Sequence, residues 1–259
     1  MNERQKKVLS AVIKEYTNTA MAVSSDLIAQ KYKLEVSPAT IRNDMNKLEA
    51  EGLLYQPHTS AGRIPTDKGY RYFVEEIMEE KKLTREEEKK LQKEILKLKA
   101  QNKRLTKTTA KLLSVLSGNL AISGLLKREE FAVFGMSELL AQPEFKKLDE
   151  VCRLAEVLDS IDENVDKLIK VLKINETKIF IGQENPVIKM PNCAMLVSPY
   201  KLKTGEKVVL ALIGPKRMKY AKNKSLIEYM KKLLSSSAII VVIAGAKINL
   251  LHILPIENI

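Results

Sequence analysis

The sequence predicts an α+β protein: an N-terminal winged helix-turn-helix, a long connecting helix of coiled-coil type, and a C-terminal domain built on an antiparallel sheet. Three observations carry that prediction. Two short helix patterns joined by a brief turn run straight into a hairpin pattern before residue 66, leucine recurs every seventh residue from Leu91 to Leu112, and strand patterns crowd residues 177–214. A chain of 259 residues has room for this arrangement, and an apolar content of 45% excludes wholesale disorder.

From Glu3 to Tyr16, the apolar residues Val8, Leu9, Val12, Ile13 and Tyr16 recur at helical spacing, so a first helix buries one face. "SSDLIAQKYKL" follows, with Ser24 or Ser25 as N-cap and Leu27, Ile28 and Tyr32 turned inward. In "EVSPATIRNDMNKLEAEG", Ser37 caps a third helix, Pro38 suits its first position and Gly52 closes it. Two short helices about a brief turn form a helix-turn-helix, whose second helix is free to enter a major groove. Ile41, Met45 and Leu48 make its inward stripe. Opposite them lie Ala39, Asn43, Asn46 and Ala50, flanked by Thr40, Arg42 and Lys47. Small residues permit close approach, while Asn and Arg carry the paired donors and acceptors that read adenine and guanine edges. Ser37 and Thr40, near the helix N-terminus, suit phosphate contacts. A solvated polar face on an ordinary helical bundle has the same composition, so this segment alone is only modestly specific.

The residues that follow sharpen it. "LLYQ" reads as a strand, "PHTSAG" as a turn and "RIP" as a second strand, a hairpin in the position of a wing. Its His58, Thr59, Ser60 and Arg63 would lie along the phosphates or the neighbouring minor groove. Thr66 caps a further helix in which Tyr70, Tyr72, Phe73 and Ile77 supply core surface rather than base-stacking platforms. Lys68 and Arg71 suit the DNA backbone, and exposed pairing with Glu75 and Glu76 suits them equally.

"SPATIRNDMNKLEAEGLLYQPHTSAGRIPTDKGYRYFV" closely resembles the winged-helix segment of the bacterial heat-inducible transcription repressor family, HrcA. "FGMSELLAQPEF", "IFIGQEN" and "IGPKRMKYAKNKSLIEYM" are similar to later stretches of that family, the last two to its GAF-related C-terminal domain. The resemblance covers roughly two-thirds of the chain. It implies a dimeric repressor that binds an inverted-repeat operator upstream of chaperone genes and lets go on heat stress, with a GroEL-type chaperonin promoting its active form. The chain departs from the family by its shortness. Between about Leu113 and Phe131 it lacks the first part of the GAF-like domain and the inserted dimerisation domain.

Residues 83–120 offer a replacement interface. Leu91, Leu98, Leu105 and Leu112 fall at d positions, and Ile95, Asn102, Thr109 and Leu116 at a positions, the pattern of a parallel two-stranded coiled coil. Glu94 at g can face Lys99 at e of a partner, although Thr109 weakens the seam. A basic amphipathic helix packed on its own C-terminal domain is the simpler reading of the same residues. The expected domains are therefore the winged helix at 1–80, the connecting helix at 81–128 and the GAF-like domain at 129–259.

In that last domain "FAVFGM", "TKIFIG", "CAMLVSPY" and "EKVVLALIG" read as strands, with Gly205 marking a hairpin. "EFKKLDEVCRLAEVLDSI" reads as a helix using Leu148, Val151, Leu154, Ala155 and Leu158; "VDKLIKVL" and "SLIEYMKKLL" read as two more. Lys216 and Arg217 suit an anion, but a turn after a strand explains them more simply. The tail from Ala238 to Ile256 is mostly apolar, yet Lys247 at mid-span would cost about 2.5 to 3.5 kcal/mol in a bilayer. Its β-branched density fits two short buried strands better than a membrane span.

The net charge of +12 points to an anionic partner, but not through the first eighty residues, where eleven Lys/Arg face twelve Asp/Glu. Residues 81–111 carry twelve against four, a net of +8. That excess would repel a parallel copy unless operator DNA offset it. Cys152 and Cys193 are far apart, and His58 and His252 stand alone, so no disulfide framework or metal site is expected. No Ser/His/Asp set, paired carboxylates or phosphate-cradling glycine loop is present, so neither catalysis nor a cofactor is expected. "MNERQKKVLSAVIKEY" lacks the continuous apolar core of a signal peptide, which predicts a cytoplasmic protein. Two rival functions remain at this level: a ligand-sensing GAF-type regulator, and a non-specific DNA binder working through residues 81–111.

Overall fold

The computed structural model describes residues 1–235, apart from 33, 102–104, 127–129, 147, 160–162, 166, 169–171, 188–190 and 203, and leaves the side chains of 96–101 undescribed. The first eighty residues form α1 (Glu3–Thr19), α2 (Ser25–Tyr32), α3 (Pro38–Ala50), β1 (Leu54–Tyr55), β2 (Ile64–Pro65) and α4 (Asp67–Tyr72), which a wider turn extends over Phe73–Ile77. Local chemistry sets these limits. Asn2 and Gln5 form a reciprocal capping box on α1, with both bonds at 2.9 Å. Ser24 Oγ accepts from Leu27 N, Ser37 Oγ from Thr40 N and Thr66 Oγ1 from Gly69 N, so each later helix has its hydroxyl cap. Gly52, at φ +73°, ends α3 in the left-handed conformation that glycine adopts freely.

Val8, Leu9, Val12, Ile13, Ile28, Ile41, Met45 and Leu48 close the helical core, as their spacing predicts. Leu27 does not join them. It lies on the outer side of α2 and is 37% exposed, because Ile28 takes the inward position. Two ion pairs brace the three helices. Asp44, buried in α3, receives Arg4 Nε at 2.6 Å, and Glu15, buried in α1, receives Lys31 at 2.8 Å and the Tyr32 hydroxyl at 2.7 Å.

The segment expected to be one connecting helix is two helices and a strand: α5 (Arg85–Gln101), α6 (Leu105–Ser117) and β3 (Leu120–Leu125). α5 packs on α6, and both pack on the last described helix. Leu91 and Ile95 are buried within their own chain, Leu112 is nearly so, and Leu105 and Leu116 pack against the same core. The described residues of the stripe expected to form a parallel coiled coil thus pack against the chain's own core. Asn102 and the side chain of Leu98 lie outside the described residues, as does the apolar tail from Ala238 to Ile256.

β3, inside the segment expected to connect the domains, is a central strand. It lies between β4 (Glu130–Phe134) and β7 (Lys207–Pro215) in a five-stranded antiparallel sheet of order β4-β3-β7-β6-β5, where β5 is Lys178–Ile181 and β6 is Cys193–Lys201. Alternate residues face opposite ways. Ala194, Leu196, Leu210 and Leu212 face α5, α6 and α9 (Tyr220–Ser235), in one core continuous with the winged helix. Met195, Val197, Val209 and Ala211 face α7 (Met136–Leu140) and α8 (Leu148–Asp159). In α8, Leu154 is buried as expected, but Leu148 is 74% exposed and Ala155 is also exposed. The fold is a winged helix joined to a GAF-like α+β domain.

Candidate nucleic-acid interface

The outward side of α3 is formed by Ala39, Arg42, Asn43, Asn46, Lys47 and Ala50, all exposed, while Ile41, Asp44, Met45 and Leu48 are buried. Ser37 and Thr40 share a hydroxyl contact of 3.0 Å at the N-terminal end, so their oxygens already serve the cap. Arg42 is 67% exposed and only grazes Asp26, at 4.0 Å. Asn43 and Lys47 have no protein partner among the described residues. Asn46 differs: its Oδ1 accepts from Arg63 Nη2 at 2.8 Å, which occupies one of the oxygen's two acceptor positions.

Beside this face stands the wing, held by residues that sequence patterns did not single out. Gln56 Nε2 donates to the carbonyls of Thr59 and Ala61, at 2.9 and 2.8 Å, and so closes the tip that carries His58 and Ser60. His58 Nδ1 and Ser60 Oγ lie 3.2 Å apart, both exposed. Glu49 of α3 accepts from Gln56 N at 2.9 Å and pairs with Arg63 at 2.8 Å, fixing the wing to the helix. Val23 pairs with Arg63 through both backbone bonds, adding a third short strand. Gly62 lies against the Val23 backbone where no Cβ fits.

Three residues expected at the DNA have protein partners in the structure. The Arg63 side chain is only 13% exposed and braces the wing against Glu49 and Asn46, so it is not free at the wing tip. Lys68 Nζ donates to the Glu51 carbonyl at 2.8 Å, at the end of α3. Arg71 donates to the Ile179 carbonyl at 2.8 Å and pairs with Glu184, tying α4 to the C-terminal sheet far from α3. Glu184 and Ile179 lie more than a hundred residues downstream, so no local pattern points to them.

The same pairing explains how a segment with more acids than bases presents a basic face. Asp44, Glu15 and Glu49 are each matched within the fold, whereas Arg42 and Lys47 face outward. Hydrogen bonds from Lys31 and Tyr32 hold the Glu15 carboxyl below the ordinary glutamate range, and its bond to Asp44 raises the Arg4 guanidinium further. Lys216 and Arg217 are likewise committed. Lys216 pairs with Asp67, and Arg217 with Glu144 at 2.6 Å and the Thr17 carbonyl at 3.1 Å, so they join the two halves rather than hold a free anion. Among the described residues no cluster of metal-ligating side chains occurs, and no helix is long and apolar enough to cross a membrane.

A reading helix beside a closed wing, on a GAF-like domain, defines a winged-helix DNA-binding transcription regulator. Sequence models of the winged helix-turn-helix transcription repressor, HrcA DNA-binding domain and of the HrcA protein C terminal domain match residues 1–79 and 71–223. The chain belongs to the HrcA family of heat-inducible transcription repressors. The heat-inducible transcription repressor HrcA of Carboxydothermus hydrogenoformans is 27% identical over 334 aligned positions, spanning 91% of this chain and 97% of that protein. That alignment is longer than this 259-residue chain, so the relative has internal residues without a counterpart here. The Desulforamulus reducens protein is 57% identical over 88 residues, 34% of this chain and 25% of its own. A solved structure described as a hypothetical protein superposes with a TM-score of 0.70 at 22% identity, covering 91% of this chain and 96% of that one, and shows the same fold.

Proposed function

We propose that this chain is a cytoplasmic, homodimeric repressor that binds an inverted-repeat operator in double-stranded DNA upstream of chaperone genes and releases it on heat stress. A GroEL-type chaperonin would promote the binding-competent form, as the family relationship suggests. The observation that best supports DNA reading is the exposed face of α3, where Arg42 and Asn43 stand without a close protein partner beside a wing fixed by Glu49 and Gln56. Arg42 suits the O6 and N7 edge of guanine and Asn43 that of adenine, Lys47 suits phosphate, and the wing tip at His58 and Ser60 suits the backbone.

The experiment is a binding titration of Arg42→Ala and Asn43→Ala against the operator and single-base variants of it. Each substitution is expected to cost about 1 to 3 kcal/mol and to flatten the preference at one base pair per half-site. Lys47→Ala should weaken all sequences alike and lower the salt slope by about one. Unchanged operator preference in both base-reading variants would show that another face reads the DNA.

A further inference from the structure

The five-stranded sheet has two edges, and they are finished differently. At β5, Arg71 donates to the Ile179 carbonyl at 2.8 Å and the Glu184 carboxylate accepts from Ile181 N at 3.1 Å, while Ile179, Phe180 and Ile181 are buried. At β4 nothing comparable occurs among the described residues. β3 pairs with its inner side and α6 covers one face, and no strand among the described residues lies beyond it. None of its residues is fully buried, and Val133 is 38% exposed. The strand "EFAVF" contains no proline or lysine, and its ladder with β3 runs without a bulge. Proline, lysine and bulges are among the devices by which proteins keep edge strands from pairing, and the one charge on this strand is Glu130.

We propose that β4 is a dimer interface and that its occupant is β4 of a second copy, paired antiparallel about a two-fold axis at Ala132, which joins the two five-stranded sheets. The inference rests on the dimeric reading given above. It locates that dimer away from Leu91 and Ile95, which are buried inside their own protomer.

Side-chain charge selects the register. Glu130, Ala132 and Phe134 lie on the face covered by α6: Thr106 Oγ1 donates to Glu130 Oε1 at 3.1 Å, and Lys111 Nζ lies 5.8 Å from the centre of the Phe134 ring. With the axis at Ala132, each Glu130 comes opposite Phe134 of the second copy and so meets that copy's Lys111. Two equivalent ion pairs form, one at each end of the paired strands. On the other face Phe131 meets Val133 of the second copy, a favourable aromatic and β-branched match. Val115, 52% exposed and one turn beyond Lys111 on α6, widens the apolar margin. A shift of one residue would place Glu130 and Phe134 on opposite faces and lose both ion pairs.

Sedimentation of the full chain tests this. Lys111→Glu and Glu130→Lys should each raise the dimer dissociation constant about tenfold or more, and mixing the two single variants should restore association, because opposite charges then meet only between copies. Thermal melts of the same variants separate weakened association from misfolding. With Cys152→Ser in the background, Ala132→Cys should form a disulfide between copies under mild oxidation, since the two positions face each other across the axis. A dimer indifferent to the charge substitutions and without that disulfide would overturn the interface while leaving operator binding by a dimer intact. A chain that is monomeric while bound to its inverted repeat would contradict the interface and the dimeric reading together.

Discussion

At the scale of single residues, the structure separates side chains left open on the outward face of α3 and at the wing tip from those that hold this surface in place. Gly62 belongs to the second group, since any side chain there strikes the Val23 backbone that pairs with Arg63. Gly62→Ala is expected to destabilise the protein by about 1 to 3 kcal/mol and to weaken operator binding more than Ser60→Ala does; calorimetry and a titration would check this. Ser37 and Thr66 could be assigned from sequence because a cap acts three residues away. Arg63 and Arg71 could not, because an exposed arginine and a bracing arginine look alike until their partners are known. Those partners are Glu49, Asn46 and Glu184, the last 113 residues away. The role of Gln56 was hidden for a related reason: it bonds backbone carbonyls, and carbonyls carry no sequence signal.

At the scale of elements, helical periodicity located α1, α3 and α9, and turn chemistry located the wing and the β6-β7 hairpin at Gly205, whose φ is +87°. It did not show what an apolar stripe packs against. A leucine heptad looks the same on a coiled coil and on a helix lying on its own domain, and here Leu91 is wholly buried by the same chain. Leu91→Ala should therefore lower stability by about 2 to 5 kcal/mol independently of protein concentration, as denaturant melts at several concentrations would show. β3 escaped notice because "LAISGL", buried on both faces, lacks strand alternation. The bracing of α1 and α2 by Glu15 predicts a pH dependence. Its folded carboxyl titrates lower than in the unfolded chain, so its stabilising contribution is complete above the ordinary range near 4.5 and is lost as pH falls through the lowered value. Glu15→Gln should flatten the acid side of the stability profile and reduce stability at neutral pH, measurable by urea titrations from pH 3 to 7.

At the scale of the whole molecule, the winged helix and the GAF-like domain share one apolar core and the ion pairs of Asp67 with Lys216 and Arg71 with Glu184. Tyr70 and Tyr220 meet edge to face across the same contact, with ring centres 6.1 Å apart. The position of α3 is thus tied to the packing of the C-terminal sheet. The central claim is sequence-specific recognition by the α3 face. Its most direct test is a fluorescence-anisotropy titration, at one moderate salt concentration, against the inverted repeat upstream of the source organism's chaperone operon and against a scramble of equal composition. A preference of about a thousandfold or more for the inverted repeat is the result expected here, and equal affinity for both duplexes would contradict it.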